Sequence, residues 1–330
     1  MAEAKDLYCS VTGTSGIVSA SINDDFGQPT RNAMVDCLST ELELGDEVTV
    51  DMGYTDEHAS LISGYLLEKT KKRTAQGLVT SLRIRDKLWR AMAYFIAAEN
   101  PEEPLKYSNI ASEDLVRAML QLASVPGPYD LESPGFTFAP EEPLEVQLVS
   151  AWDMIAKVTY LIAWHCYDDD GTIRFLDRKP YPMAGDVSIY NFVTGDSGRV
   201  LAVEPWAISS DKIRNKVVVY GKEGVYASAS APSPFLPDGF YKTEVIAAPD
   251  LIDTQQMAQD IADYNLNLLN RLEKTLTLSV VGTPSIKARS TVTVTESETG
   301  VSGDWFVYGC SHELTDFYTT RLTLTQRQVE

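Results

Sequence analysis

A thiol beside an imidazole is the first pair to weigh, because a histidine that takes the proton of a cysteine makes a nucleophile. His165 and Cys166 are adjacent, and Asp168, Asp169, Asp170 and Gly171 follow them. Neighbours in a strand point to opposite faces, so in the strand-like string WHCY the imidazole cannot activate the thiol. The aspartate run would hold calcium in a helix-loop-helix site only with oxygen ligands at alternate positions before the glycine and a glutamate six residues after it. Cys166 and Asp177 occupy the first and last of those positions. Cys310 and His312 share a strand face, but a structural zinc needs four ligands, and only the remote Cys9, Cys37 and His58 are left to supply them. His312 is therefore expected as a partly buried hydrogen-bonding residue. Gly13, Thr14, Ser15 and Gly16 are followed by no lysine and by strand-like residues, so they read as a turn and not as a phosphate loop. No Gly-x-Ser-x-Gly elbow occurs and only three histidines exist, so hydrolase triads have few possible bases. A pair of glycosidase carboxylates stays open among 47 acids. The expectation is an α+β chain with no catalytic residue, no cofactor and no metal.

The elements that carry these residues follow from hydropathy. Residues 17–22 and 48–52 alternate apolar with polar, Leu78, Leu82 and Ile84 continue that period, and Gly53 and Gly64 punctuate it. Residues 1–98 thus read as a first small antiparallel β-barrel or sandwich. A mixed α+β region is expected over 99–205, opened by the linker ENPEEPLKY. Ser112 with Glu113 and Asp114 is expected to cap a helix carrying Leu115, Met119 and Leu122, stopped by Pro126 and Gly127. Ser150 and Asp153 form a capping box ahead of Trp152, Ile155, Val158, Leu161 and Ile162, apolar nearly all round and so central. The strings WHCY and TIRFLD then close a hairpin over an Asp-Gly turn. Residues 206–330 read as a second β-barrel. KVVVYG pairs with GVYASAS across KEG, a helical insertion at about 253–273 carries Met257, Ile261, Tyr264 and Leu268 on one face, and alternating strands follow over 275–281, 291–295, 305–311 and 320–326. Trp89, Trp152, Trp164 and Trp206 are expected to pack in cores.

Composition narrows the functions. A net charge of −19 opposes tight wrapping around nucleic acid, which needs clustered cations. The surplus acid either solvates the outer surface or lines a channel past which DNA slides. Four scattered cysteines read as buried thiols and not as a disulfide framework. No run of eighteen apolar residues occurs, so no membrane insertion is expected. The start, MAEAKDLYCS, lacks the basic and apolar regions of a signal peptide, which gives synthesis in a cytoplasm as the expectation. Pro234, Phe235 and Leu236, in the Pro-stiffened loop 232–237, place apolar side chains in a segment too short for a core and are the candidate partner contact.

The order of elements, together with LISGYLLEKTK, RIRDKLWRA, SAWDMIAKV leading into WHCYDDDGTIRFLDR, and RNKVVVYGKEG, resembles the tail hub family of contractile-tailed phages, which includes late control protein D and baseplate hub proteins. Leu276 to Val281 with Gly282 and Pro284, then His312, Leu314, Tyr318, Thr320 and Leu322, look like that family's closing strands. Lys287, Ala288, Arg289 and Ser290 stand where family members often carry a Gly-Asp turn. The resemblance implies a non-enzymatic virion protein made in a host bacterium: a homotrimer whose two barrels per chain present six units to a sixfold tail tube, with a central spike on the other face and DNA only as passing cargo. It extends to related contractile injection systems. Two other classes stand beside it, a carbohydrate-binding or carbohydrate-active tail-tip protein and a tail-tip hydrolase.

Overall fold

The computed structural model describes residues 5–74, 77–97, 103–138, 142–194, 199–204, 206–296 and 300–328. Residues 99–102 of the expected linker at 99–107, and the expected boundaries near 98 and 205, lie outside them, and the end of that linker forms a strand, Leu105–Tyr107.

The chain is mostly β. Alternating residues in the first hundred positions form β1 (Leu7–Val11), β2 (Thr14–Asp25), β3 (Asn32–Thr40), β4 (Glu47–Tyr54), β5 (Glu57–Thr74) and β6 (Gly77–Asp86), paired antiparallel in the order β1-β4-β5-β6-β3-β2. Their inward residues, among them Ile22, Val35, Val50, Ile62, Leu82 and Ile84, bury one core. Close approach fixes some positions. A Cβ on Gly64 would lie 1.9 Å from the backbone oxygen of Arg85, so β5 and β6 can meet there only at a glycine.

The last part of the chain repeats the pattern. Val301–Leu314 pairs with Tyr318–Gln328, which pairs with Leu272–Val281, and the short strands Val200–Val203 and Ala207–Ser209 extend that edge. Thr291–Glu296 flanks Val301–Leu314, and Ser188–Val193 joins it in parallel. A second core holds Phe192, Leu278, Val292, Trp305 and Leu322. The two β parts are not two separate closed barrels among the described residues. The free edge of β2 pairs with Val301–Leu314, from Ala20 opposite Leu314 to Asp25 opposite Gly309, and makes one open thirteen-stranded sheet of both. Leu314 and Tyr318 sit in the core of the first part, so the cores interlock as well.

Between these parts, α1 (Trp89–Ala93), α2 (Ser112–Leu122) and α3 (Ala151–Ile162) pack with the hairpin His165–Asp169/Thr172–Leu176. The capping box of α3 is formed as expected: Asp153 N donates to Ser150 Oγ at 3.0 Å, and Ser150 N to Asp153 Oδ2 at 3.1 Å. The expected Ser112 cap is not. Ser112 is already helical, its hydroxyl bonds Glu113, and Ala111 holds the cap position without a side-chain bond.

Lys216–Tyr220 and Tyr226–Ser230 pair as expected, with Thr243–Ala247 parallel on the other edge. Helix α4 (Gln255–Leu269) begins at Thr254, whose hydroxyl accepts from Met257 N at 3.3 Å. Sequence order attaches this segment to the last β part, but its buried residues join the core of the middle helices. The reason is the face α4 buries. Met257, Ala258, Ile261, Ala262 and Asn265 turn inward while Tyr264 stays exposed, and Asn265 Nδ2 caps Leu161 O of α3 at 3.0 Å.

Candidate functional site

The hairpin that carries His165 and Cys166 closes as its sequence dictates. Asp169 faces Thr172, and Asp170 (φ 50°) and Gly171 (φ 88°) take the two positive-φ positions of a type I′ turn. Its two faces do different things. Cys166 points into the middle core, and burial pushes its thiol up to about 12. His165 points the other way and stacks on Phe26, ring centroids 4.1 Å apart. Burial, then Arg289 and Arg178, hold its imidazole well below the ordinary range. The thiol and imidazole thus lie on opposite faces of the strand. Asp168 Oδ1 accepts from Gly171 N at 2.7 Å, Asp169 pairs with Arg174 at 2.6 Å and Asp170 with Lys287, so each aspartate of the run has a partner within the protein. Among the described residues no cluster of three potential metal ligands exists.

The turn end of this hairpin meets both β parts at a buried charged junction. Arg31, between β2 and β3, is 6% exposed; its guanidinium donates to Leu61 O at 2.9 Å, to Asp168 O and, at 3.4 Å, to Asp170. Its backbone N–H donates to Asp86 Oδ2 at 2.6 Å, and Leu88 N donates to Asp86 Oδ1 at 3.1 Å. Lys287, from the last β part, pairs with the same Asp170, and Lys87 Nζ donates to Gly171 O at 3.2 Å. Burial, and then the neighbouring Asp168, push the Asp86 carboxyl up to about 7. Burial likewise raises Asp168. Asp170 behaves oppositely, since Lys287 and Arg31 outweigh its burial and hold it low.

A second lock lies behind the first. Arg289 pairs with Asp24 at 2.7 Å and lies 4.4 Å from the Tyr167 ring, while Arg178 donates to Arg289 O at 2.8 Å. Arg289 holds φ 74°, a left-handed conformation that favours glycine. The stretch 287–290 thus contains a left-handed position filled by an arginine whose side chain is paired. Further on, His312 Nε2 lies 2.9 Å from Ile286 O and Nδ1 lies 2.8 Å from Tyr318 Oη. A carbonyl only accepts, so Nε2 carries the proton and Nδ1 accepts from the tyrosine. Cys310 Sγ sits 3.1 Å from Nε2 in the same buried group. Cys310 and His312 do share a face, and what they hold is the loop at Ile286. Burial lowers the imidazole to about 4. Tyr318 also meets Tyr54 edge-on at 5.6 Å across the two β parts.

Sequence reasoning named the hairpin but missed Arg31, Asp86 and Arg289. A signal existed for the acid: Asp86 continues the inward period of Leu82 and Ile84, as Asp24 continues that of Ala20 and Ile22, and a charge in a core register must be partnered.

The surface features are fewer. Pro234 is exposed and Phe235 and Leu236 are half-buried; just beyond, Phe240 and Tyr241 stand out at 52% and 48% exposure. The base of this loop is fastened by the buried Asn215, which donates to Phe240 O at 2.9 Å and accepts from Lys242 N at 2.8 Å. Gly13 and Gly16 both take positive φ around the β1–β2 connection, a turn as expected. No helix among the described residues is long and apolar enough to cross a membrane.

A family model described as YQBQ-like matches residues 247–325. No curated protein matches the chain in sequence. Solved structures match it end to end. A tail protein from Neisseria meningitidis superposes with a TM-score of 0.69 at 13% identity, covering 97% of each chain. The 43 kDa tail protein of prophage MuSo2 from Shewanella oneidensis gives 0.68 at 13% identity, covering 98% of each. The E. coli protein c3393, a type VI secretion component similar in structure to T4 tail proteins gp27 and gp5, gives 0.59 at 9% identity over 98% of this chain and 77% of that one. The chain therefore has the fold of phage tail proteins, which is the fold its sequence resembles.

Proposed function

We propose that this chain is the structural hub of a phage-type tail baseplate or a related injection machine: a homotrimeric ring that joins a sixfold tail tube to a central spike and lets DNA pass. The observation that carries this reading is the end-to-end match of the fold to phage tail proteins, 97% of this chain on 97% of a tail protein. The architecture supports it. Two β parts with separate cores are fused in one sheet and braced by a third unit, so each chain offers two β faces in a fixed relation, as a threefold ring meeting a sixfold tube requires. The mixed middle and the loop at Pro234, Phe235 and Leu236, extended by Phe240 and Tyr241, are the candidate surface for a neighbouring protein of the tail. The charge of −19 suits a wall that DNA passes without sticking. The residues that first point to catalysis have structural work: His165 stacks, Cys166 fills the core and Asp168 closes a turn.

Light scattering across a concentration series tests the reading. A mass of about 110 kDa, three times 36.5 kDa, with rings in electron micrographs, is the expected result. A monomer at all concentrations that binds cell-wall fragments would replace the hub with a carbohydrate-binding tail-tip protein.

A further inference from the structure

The charge of this molecule is unevenly laid out. Six of its 28 basic residues and none of its 47 acidic ones fall between positions 69 and 85. That stretch is the distal part of the β5–β6 hairpin, which runs paired from Lys69 opposite Leu82 to Thr74 opposite Gly77. Because a strand repeats every two residues, Lys69, Lys71 and Arg73 stand on one face, each about 6.6 to 6.8 Å from the next. That is the face on which Leu82 and Ile84 enter the core, so this row continues past the end of the core. Lys69 is fastened at home: it donates to Leu42 O at 2.6 Å and lies 3.4 Å from Glu43. On the other face Lys72 pairs with Asp36 at 2.9 Å, and Arg83 with Glu68 at 3.5 Å. Lys71 and Arg73 are exposed and have no partner among the described residues, and Leu78, opposite Arg73, is 59% exposed.

We infer that the face of the β5–β6 hairpin bearing Lys71, Arg73 and Leu78 docks on an acidic surface of a second copy of this chain. Charge complementarity selects that occupant. Outside this hairpin the chain carries 22 basic residues (28 less these six) against all 47 acidic ones, so a basic face on one copy meets net acidic surface on another. The contact is head-to-tail, since a basic hairpin on one copy meets an acidic surface on the next, and such contacts close into rings when the rotation allows. The inference rests on the self-assembly proposed above and goes beyond it by naming the surface.

The test compares the intact protein with the double variant Lys71→Glu, Arg73→Glu, by sedimentation at low and high salt. Both side chains are exposed and unpartnered, so the circular dichroism and the urea midpoint of the monomer should not change. The expected result is a wild-type assembly that falls apart as salt rises and a variant whose association is weaker by about tenfold or more. Zero-length coupling of amines to carboxylates should join Lys71 of one copy to an acid of another. An unchanged mass in the variant overturns the hairpin contact and leaves the ring reading standing. A wild type that is monomeric even at low salt overturns both. If the variant instead loses binding to duplex DNA while its mass is unchanged, the basic face belongs to DNA and the inference is wrong.

Discussion

Arg31 shows how much one side chain holds. Its guanidinium ties the first β part to the middle hairpin while its own N–H satisfies Asp86, and Asp86 is 2% exposed. Removing the guanidinium leaves the buried Leu61 O and Asp168 O without their donor, which costs about 1–3 kcal/mol. Asp86 gives the pH signature. Its folded carboxyl titrates near 7, against about 3.9 in an unfolded chain, so the folded state holds the proton more tightly. Its contribution is whole below pH 4 and is lost as pH rises through 7. Urea unfolding should therefore show wild type losing stability relative to Asp86→Asn between about pH 4 and 7. The comparison with the variant is needed because His312, lowered to about 4, drives stability the opposite way over the same window. A constant difference across it would mean that Asp86 is ionised throughout. Arg289 allows a sharper comparison. Glycine there loses the pair with Asp24 but relieves the left-handed backbone, whereas alanine loses the pair and keeps the strain. Arg289→Ala should be less stable than Arg289→Gly by about 1 kcal/mol, and the reverse order would show that the backbone there is unstrained.

At the scale of elements, local chemistry was legible wherever one residue decides. The α3 capping box could be read from Ser150 and Asp153 because its two hydrogen bonds span only three residues, and Ser150→Ala should cost about 1 kcal/mol of stability, seen as a lower thermal unfolding midpoint. The hairpin turn was legible because Asp-Gly is among the few pairs that tolerate two positive φ values. Gly171→Val should weaken it where Thr172→Val does not, and equal effects would show that the positive φ at Gly171 imposes no constraint. Where elements go was harder to read. Helix α4 was recognised by its period, but a helical stripe does not say which core it faces, and the buried Asn265 that fastens it to α3 looks in sequence like any polar-face residue. The Ser112 cap failed because the strand Ile110–Ala111, paired with Thr137–Phe138, delivers the chain to α2 one residue earlier than the composition implies. The charged junction was illegible as a site, since Arg31, Asp86, Asp168 and Lys287 lie far apart in sequence and only the fold joins them.

For the whole molecule the decisive fact is that both ends of the chain share one sheet. Two β parts were legible from alternation, but pairing between strands hundreds of residues apart leaves no local trace, and β2 against Val301–Leu314 is such a pairing. The consequence is mechanical: the proposed hub role requires halves that do not move independently, and the ladder, the Arg289–Asp24 pair and Tyr318 cross the same seam. Tyr318 is the best probe of that coupling. It is 3% exposed in the core of the first part, yet it is carried by a strand of the second and its hydroxyl donates to His312. A Cβ on Gly282 would come within 1.9 Å of its ring, so the ring is clamped from both sides. Truncating a large buried aromatic costs about 3–5 kcal/mol, which is a substantial share of the 5–15 kcal/mol that a folded protein has in total. If the seam couples the halves, Tyr318→Ala should lower one unfolding transition, followed alike by amide exchange in β3 and in Leu272–Val281. If the two halves hang loosely together, the variant should split that transition in two, with exchange in β3 rising first, and the rigid frame required of a hub would be absent.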